Sequence, residues 1–353
     1  MGLRAPLAAW SWLRSRAGLA SVGMGTALAG CGLADPSSTT LAPRSDFGDV
    51  SHRIFLQILW WDIGIFALVA GILLWAIFRF RERDPSALPA QVRGNARFEL
   101  TWTIAPAVVL AFIAFPTVAA IFESQRAPAP NALRVRVIGH QFWWEFQYPD
   151  LGIATASELH LPAGRAVALE LTSPDVIHSF WVPQLGGKRD AVPGQTNRIL
   201  MTPNTTGDYP GQCAEFCGVS HANMRHMAVV HDSGSFEQWV AAQKAAPPEP
   251  AEGSPEAKGL AVFKASACVG CHRIQDVSGH EYDPKRDRFT WGPDLSHFGS
   301  RLTIAGAMMP NTRENLARWI KKPSAVKPGS LMPDLGLGDQ EVAALVAYLR
   351  SLK

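Results

Sequence analysis

Cysteine is scarce in this 353-residue chain: there are five, Cys31, Cys213, Cys217, Cys268 and Cys271. An odd number so thinly spread excludes a disulfide framework, so each thiol needs its own chemical reason. Surplus charge is also missing. Basic side chains outnumber acidic ones by only 33 to 30, a formal +3 that lacks the footprint of a nucleic-acid binder. What remains is a chain long enough for two or three domains, with its unusual residues gathered in a few short stretches.

The N-terminus carries Arg4, Arg14 and Arg16, then the weakly apolar AGLASVGMGTA, then Leu28-Ala29-Gly30-Cys31. A basic start, an apolar middle and small residues before a cut make residues 1–30 a secretory signal. LAGC resembles the bacterial lipoprotein signal, in which the cysteine becomes the lipidated first residue; an ordinary signal with an incidental Cys31 is the alternative. Both readings export the segment 31–54 that follows. Residues 55–122 read as a transmembrane helix hairpin. Its spans are 55–78, with Asp62 as the one charge, and 100–121, which has none. Each exceeds or matches the roughly 20 residues a bilayer core requires. Pro106 and Pro116 in the second are tolerated better in a membrane helix than in water. Between the spans lie Arg79, Arg81, Arg83, Arg93 and Arg97, so the positive-inside rule puts this loop in the cytoplasm. Everything after residue 122 is then expected on the periplasmic side of a bacterial inner membrane. Two buried helices of a soluble domain would be the other explanation, and the arginine bias argues against it.

Past the hairpin, LRVRVI (133–138) and RAVALEL (165–171) alternate as half-buried strands do, with LPAGR, PQLGG and VPGQ as breaks. Residues 123–241 are expected to form a small all-β sandwich or barrel. Within it sits GQCAEFCGVSHANM, residues 211–224, which crowds Cys213, Glu215, Cys217, His221 and Met224 together. A Cys213–Cys217 disulfide would leave His221, Met224 and Glu215 without a role. Zinc could take both cysteines, His221 and His178 from DVIHSFW, yet it has little use for a thioether. Thiolates, imidazoles and a thioether in one loop are what copper selects. Two thiolates can bridge a pair of coppers, with His178 and His221 capping it and Met224 plus a backbone carbonyl completing it. One electron then spreads over both metals, which suits electron transfer.

GHQFWWEFQY, TSPDVIHSFWVPQLGGKRDAVPG and GQCAEFCGVSHANM, in this order after two spans, resemble subunit 2 of the haem–copper cytochrome c oxidases over roughly residues 50–240. The resemblance implies a cupredoxin-like domain with the dinuclear copper centre CuA. Its ligands would be His178, Cys213, the backbone carbonyl of Glu215, Cys217, His221 and Met224. It also implies that the Glu215 carboxylate reaches a magnesium or manganese ion shared with subunit 1. Glu99 of ELTWT would mark the inner mouth of a proton channel, although by position alone it is an acid at a helix start. One departure stands out: the aromatic after Gln141, usually tryptophan and the electron entry from soluble cytochrome c, is Phe142, followed by Trp143 and Trp144.

Residues 242–257, AAQKAAPPEPAEGSPE, read as a semi-extended linker before a final domain, 258–353. There CVGCH, Cys268 to His272, has the form of a c-type haem attachment site. Two thioethers would hold the porphyrin, with His272 as the proximal iron ligand. A thioredoxin-like pair is the rival, but no βαβ setting surrounds it. A thioether is the expected sixth ligand. KPGSLMPDL resembles the methionine loop of class I cytochromes c, which favours Met332 over Met308 and Met309. In WGPDLSHFGSR the Pro293 carbonyl would hold the His272 ring, and in the last helix residues 342, 345, 346, 348 and 349 should pack on the first haem helix.

The expected architecture is a multidomain membrane protein with three parts: a two-helix transmembrane hairpin, an all-β cupredoxin-like Greek-key barrel and an all-α class I cytochrome c domain. A haem domain fused to a CuA subunit resembles the caa-type oxidases. The implied function is electron relay from haem c to CuA and on to subunit 1, where O2 is reduced. With only two spans, the chain lacks the many-histidine membrane helices needed for that reduction itself. Expected partners are subunit 1, subunit 3, and an external cytochrome or quinol-oxidising complex as donor. Two other readings share some of these features: the CuA subunit of a nitric oxide reductase and a membrane-anchored copper-delivery lipoprotein. The ELTWT feature argues against the first and covalent haem against the second.

Overall fold

The computed structural model describes residues 38–82, 94–266, 268–278 and 292–353; the signal segment, Cys31, Arg83 and Arg93 lie outside the described residues. Helix α1 (Asp46–Arg79) has 34 residues, and α2 (Ala96–Ser124) has 29. At 1.5 Å per residue α1 is about 51 Å long, well beyond the roughly 30 Å of a hydrocarbon core. The surplus lies at its start, which is rooted in the β domain. The Ser45 hydroxyl caps the helix by accepting from Gly48 N (3.0 Å) and donates to the Leu185 carbonyl (2.6 Å). Asp46 Oδ1 accepts from Thr202 N at 2.6 Å. The first helix therefore begins inside the segment 31–54 instead of after it, because polar groups from the β domain satisfy its first turn. The hairpin closes where Gln57 Nε2 donates to the Phe112 carbonyl (3.2 Å) and Trp61 stacks on Phe112. Both helices keep large apolar side chains uncovered, Phe66 at 75% and Phe115 at 77% exposure, as lipid-facing helices do.

Ten strands follow in two five-stranded sheets. The first runs in the order β3 (Ile153–Ala156), β2 (Trp143–Tyr148), β1 (Leu133–His140), β5 (Val167–Thr172), β8 (Asn197–Met201). The second runs β4 (Glu158–Pro162), β10 (Arg225–His231), β9 (Gly207–Cys213), β6 (His178–Trp181), β7 (Arg189–Ala191). Pairs β1–β5 and β4–β10 are parallel and the rest antiparallel. Alternation decides which side chains enter: Leu133, Val135 and Val137 are buried while Arg134 points out. They share one core with Trp144, Phe146, Leu159, Leu161, Leu169, Leu171 and Phe180, which makes the domain a cupredoxin-like sandwich.

Helix α3 (Ser233–Lys244), capped by Asp232, closes the sandwich, and α4 (Pro255–Ala265), capped by Ser254, opens the last domain. The two helices extend into both ends of the expected linker, leaving 245–254 between them. The last domain adds a short hairpin, β11 (Thr303–Ile304) with β12 (Met309–Pro310), then α5 (Arg313–Lys321), α6 (Pro323–Val326) and α7 (Asp339–Ser351). Val342, Leu345, Val346, Tyr348 and Leu349 are all buried on one face of α7. Phe263 of α4 meets Tyr348 there. The helical domain does not hang free. Thr303 donates to Glu158 Oε1 from its amide (2.9 Å) and hydroxyl (3.1 Å), and Arg225 N donates to the Gly306 carbonyl at 3.0 Å.

Candidate metal and haem centres

Two adjacent strands assemble the first centre. Strand β6 begins at His178 and β9 ends at Cys213, and their pairing in register Phe180–Cys213 brings the two side chains to the same end of the sheet. The loop then leaves and returns at Met224, whose carbonyl accepts from Cys213 N at 2.9 Å, so its two ends are clamped. This closure gathers the donors. Cys213 Sγ lies 4.0 Å from His178 Nδ1, 3.9 Å from Cys217 Sγ and 3.3 Å from the Glu215 carbonyl oxygen. Cys217 Sγ lies 3.7 Å from His221 Nδ1 and 3.8 Å from Met224 Sδ. Cys213 and Cys217 are free thiols, and Met224 is fully buried.

Groups behind the donors orient them. His178 Nε2–H donates to Asp175 Oδ1 at 2.8 Å, which leaves the Nδ1 lone pair facing Cys213. Gln141 donates from its amide to Asp175 Oδ2 (2.8 Å) and from Nε2 to the Cys217 carbonyl (2.5 Å). Neither Asp175 nor Gln141 stood out in the sequence. The Asp-x-x-His spacing within SPDVIHS was the available signal for the first. Burial raises the Cys213 thiol, but His178 and the neighbouring backbone groups outweigh it and hold the pKa at about 7. Burial, then the charge on Cys213, pushes Cys217 up. Burial would lower His178, yet Asp175 and Cys213 raise it overall. A paired thiol set beside an imidazole and a buried thioether suits a soft, thiophilic metal; a Cys2His2 zinc set would leave Met224 unused. Copper fits the whole set.

The second centre is a cavity of about 320 Å3 lined by Cys268, Cys271, His272, Pro293 and Met332. Cys271 N and His272 N both donate to the Cys268 carbonyl, a tight turn that projects the two free thiols and the imidazole together. His272 Nδ1–H donates to the Pro293 carbonyl at 2.8 Å, leaving Nε2 as the available donor. Burial lowers the His272 pKa and so keeps the ring neutral, as an iron ligand must be. Met308 and Met309 are not among the residues lining this cavity; Met309 packs with the helical core. An apolar slot with two thiols, one neutral imidazole and one thioether fits a covalently held haem.

The cavity is not sealed by its own domain. Gln141, Phe142 and Trp143 of the copper-loop domain line it too. Elsewhere, Glu215 is exposed, and Glu99 sits at the start of α2, where its Oε1 accepts from Asn95 N at 3.1 Å.

Each of the three parts has a counterpart in known protein families. The transmembrane domain of cytochrome C oxidase subunit II matches residues 32–120, its periplasmic domain 152–232, and cytochrome c 256–353. The cytochrome c oxidase subunit 2 of Alkalihalophilus pseudofirmus is 35% identical, covering 92% of this chain and 94% of that one. Its counterpart in Bacillus sp. (strain PS3) is 34% identical over 94% and 95% of the two chains. That of Bacillus subtilis is 33% identical over 92% and 94%. Matches of this extent leave too little unaligned chain to omit the C-terminal domain.

Proposed function

This chain belongs to the cytochrome c oxidase subunit 2 family, and from that premise we propose that it is the electron-relay subunit of a bacterial terminal oxidase. It takes electrons at a haem c, passes them to a dinuclear copper centre and hands them to the haem/copper site of subunit 1, where O2 becomes water. The observation that carries this reading is the convergence of Cys213, Cys217, His178, His221, Met224 and the Glu215 carbonyl within 4.0 Å contacts of a neighbouring donor. A copper pair held by this donor set would supply a delocalised one-electron acceptor, and a haem held in the cavity a high-potential one-electron carrier.

The protein's part is to hold donors still. Asp175 fixes the tautomer and angle of His178, and Gln141 ties Asp175 to the backbone of the ligand loop. Pro293 does for His272 what Asp175 does for His178. Cys268 and Cys271 would hold the haem covalently, and His272 and Met332 would offer their nitrogen and sulfur to its iron. The exposed Glu215 carboxylate is available for a magnesium or manganese ion at the subunit 1 boundary. Glu99 begins the second span, where a proton path into subunit 1 would open on the cytoplasmic side. The arginines at 79, 81 and 97 support that sidedness, with the copper and haem domains in the periplasm. Subunit 3 and an external cytochrome or quinol-oxidising complex complete the proposed assembly.

The test is purification with the large subunit and measurement of what the complex consumes. Oxygen uptake with a copper pair on this chain is expected. Nitric oxide uptake would transfer the subunit to a reductase, and a single metal, or zinc, in the Cys213–Cys217 loop would overturn the relay. Cys268→Ala or Cys271→Ala should abolish the pyridine-haemochrome band of this chain while the copper spectrum persists.

A further inference from the structure

The turn Lys327-Pro328-Gly329, just ahead of Met332, packs against the copper-loop domain. Lys327 is 3% exposed, and its Nζ donates to the Phe142 carbonyl at 2.6 Å and to the Ala305 carbonyl of its own domain at 2.8 Å. Next to it, the Ser220 hydroxyl donates to the Pro328 carbonyl at 2.5 Å. Gly329, at φ 78°, comes so close that a Cβ would sit 2.2 Å from Val219 Cγ1 and 3.3 Å from Phe142 Cε2. The turn therefore touches both the stretch Val219–Ser220 of the ligand loop and Phe142, which lines the haem cavity and is itself only 6% exposed.

Burying an amine is unfavourable unless its N–H groups are received, and here two carbonyls from two domains receive them. Burial pulls the Lys327 pKa down to about 7. Charged or neutral, the amine keeps at least the two N–H groups that the two carbonyls need. Protonation state therefore does not decide whether the link exists.

We propose that the 327–329 turn is the docking key of the haem domain and that Lys327 is a positioning residue, fixing the haem cavity on Phe142 and the copper loop in one pose. The inference rests on the electron-relay reading above. A short tether alone leaves the domain to search by diffusion; the lysine link removes that search. It also covers Phe142, so an external donor must approach the haem domain and not this aromatic.

Lys327→Met keeps the apolar stem and removes both hydrogen bonds, while Lys327→Arg restores donors. The full chain is compared by amide hydrogen exchange at two amides bonded across the domains, Arg225 and Thr303, with the Met227 amide, bonded within the copper domain, as reference. Exchange at the first two should rise at least tenfold in the Met variant, with the reference unchanged and partial recovery in the Arg variant. In the loaded complex, passage of one electron from photoreduced haem to the copper pair should slow at least tenfold and become viscosity-dependent, with both spectra and potentials at wild-type values. Wild-type exchange and rate in Lys327→Met would overturn the proposal. If that variant does not fold, Ser220→Ala, which removes the neighbouring link to Pro328, must loosen the same two amides, and unchanged protection there is equally fatal. Missing haem or copper in the wild-type chain would instead defeat the relay reading, leaving the exchange result to judge the docking key.

Discussion

Gly139→Ala tests the copper centre without replacing a donor. Gly139 lies buried in β1 opposite Trp144, directly beneath the ring of His178. A Cβ there would sit 2.8 Å from His178 Cδ2, 2.9 Å from Cγ and 3.1 Å from Cβ. His178 has little room to retreat. It is fully buried, its Nε2 is held by Asp175 at 2.8 Å, and Trp144 stands edge-on 5.9 Å away. Replacing a strand glycine normally gains about 0.4–1 kcal/mol from the unfolded chain. Overpacking a close-packed site costs about 1–3 kcal/mol, so the unfavourable effect should win. For a domain near 100 residues that corresponds to a Tm loss on the order of 5–10 °C. Thermal unfolding of the metal-free protein reads this cost. The near-infrared copper band reads the displaced ligand and should shift or weaken. A metal-free Tm equal to wild type, together with an unaltered band, would show that His178 is not confined as described, and the reasoning would fail.

Other expectations follow from single contacts. Met224→Leu should retain copper but change its near-infrared absorption and potential; an unchanged spectrum removes Met224 from the donor set. Tyr148→Phe deletes a buried hydroxyl that accepts from His160 N (2.8 Å) and donates to the His160 carbonyl (2.9 Å). Leaving both unpaired should cost about 1–3 kcal/mol in denaturant unfolding. His160 predicts acid sensitivity. Burial, with His231 and Arg301 nearby, lowers its pKa from 6.5 to about 3. Its ring is bonded to His231 (2.8 Å), stacked on Trp239 and 3.9 Å from Glu158. Between those two values the unfolded chain binds a proton that the folded chain refuses. Stability is therefore full above pH 6.5 and falls on acidification, by at most about 1.4 kcal/mol per pH unit for this group. His160→Gln should flatten that slope, and an unchanged slope would assign the acid sensitivity elsewhere.

Much of the site was legible in the residues. Donor identity is a matter of side-chain chemistry, and Cys213, Cys217, His221 and Met224 lie within one stretch of 14 residues, 211–224, so their proximity needed no fold. CVGCH is equally local. His178 is remote in sequence from that loop, and only strand pairing between β6 and β9 brings it within 4.0 Å of Cys213. The choice of Met332 over Met308 and Met309 rested on resemblance. In the fold Met332 lines the cavity and Met309 lies in β12 among the helical core.

The spans, the alternating strands and the haem motif were set by local pattern, because period, length and ligand type are properties of consecutive residues. Three things were not. The first helix is rooted at Ser45 and Asp46 by bonds to Leu185 and Thr202, which are far along the chain. The orientation of His178 depends on Asp175 and Gln141, which hydrogen-bond only after β1 and β6 are in place. The contact of Lys327 with Phe142 joins residues 185 positions apart in two domains. Composition had marked the segment between these domains as a semi-extended linker, and a linker says nothing about where the domain it carries comes to rest. That is decided by whether polar groups on two folded surfaces find partners, which only the tertiary structure determines.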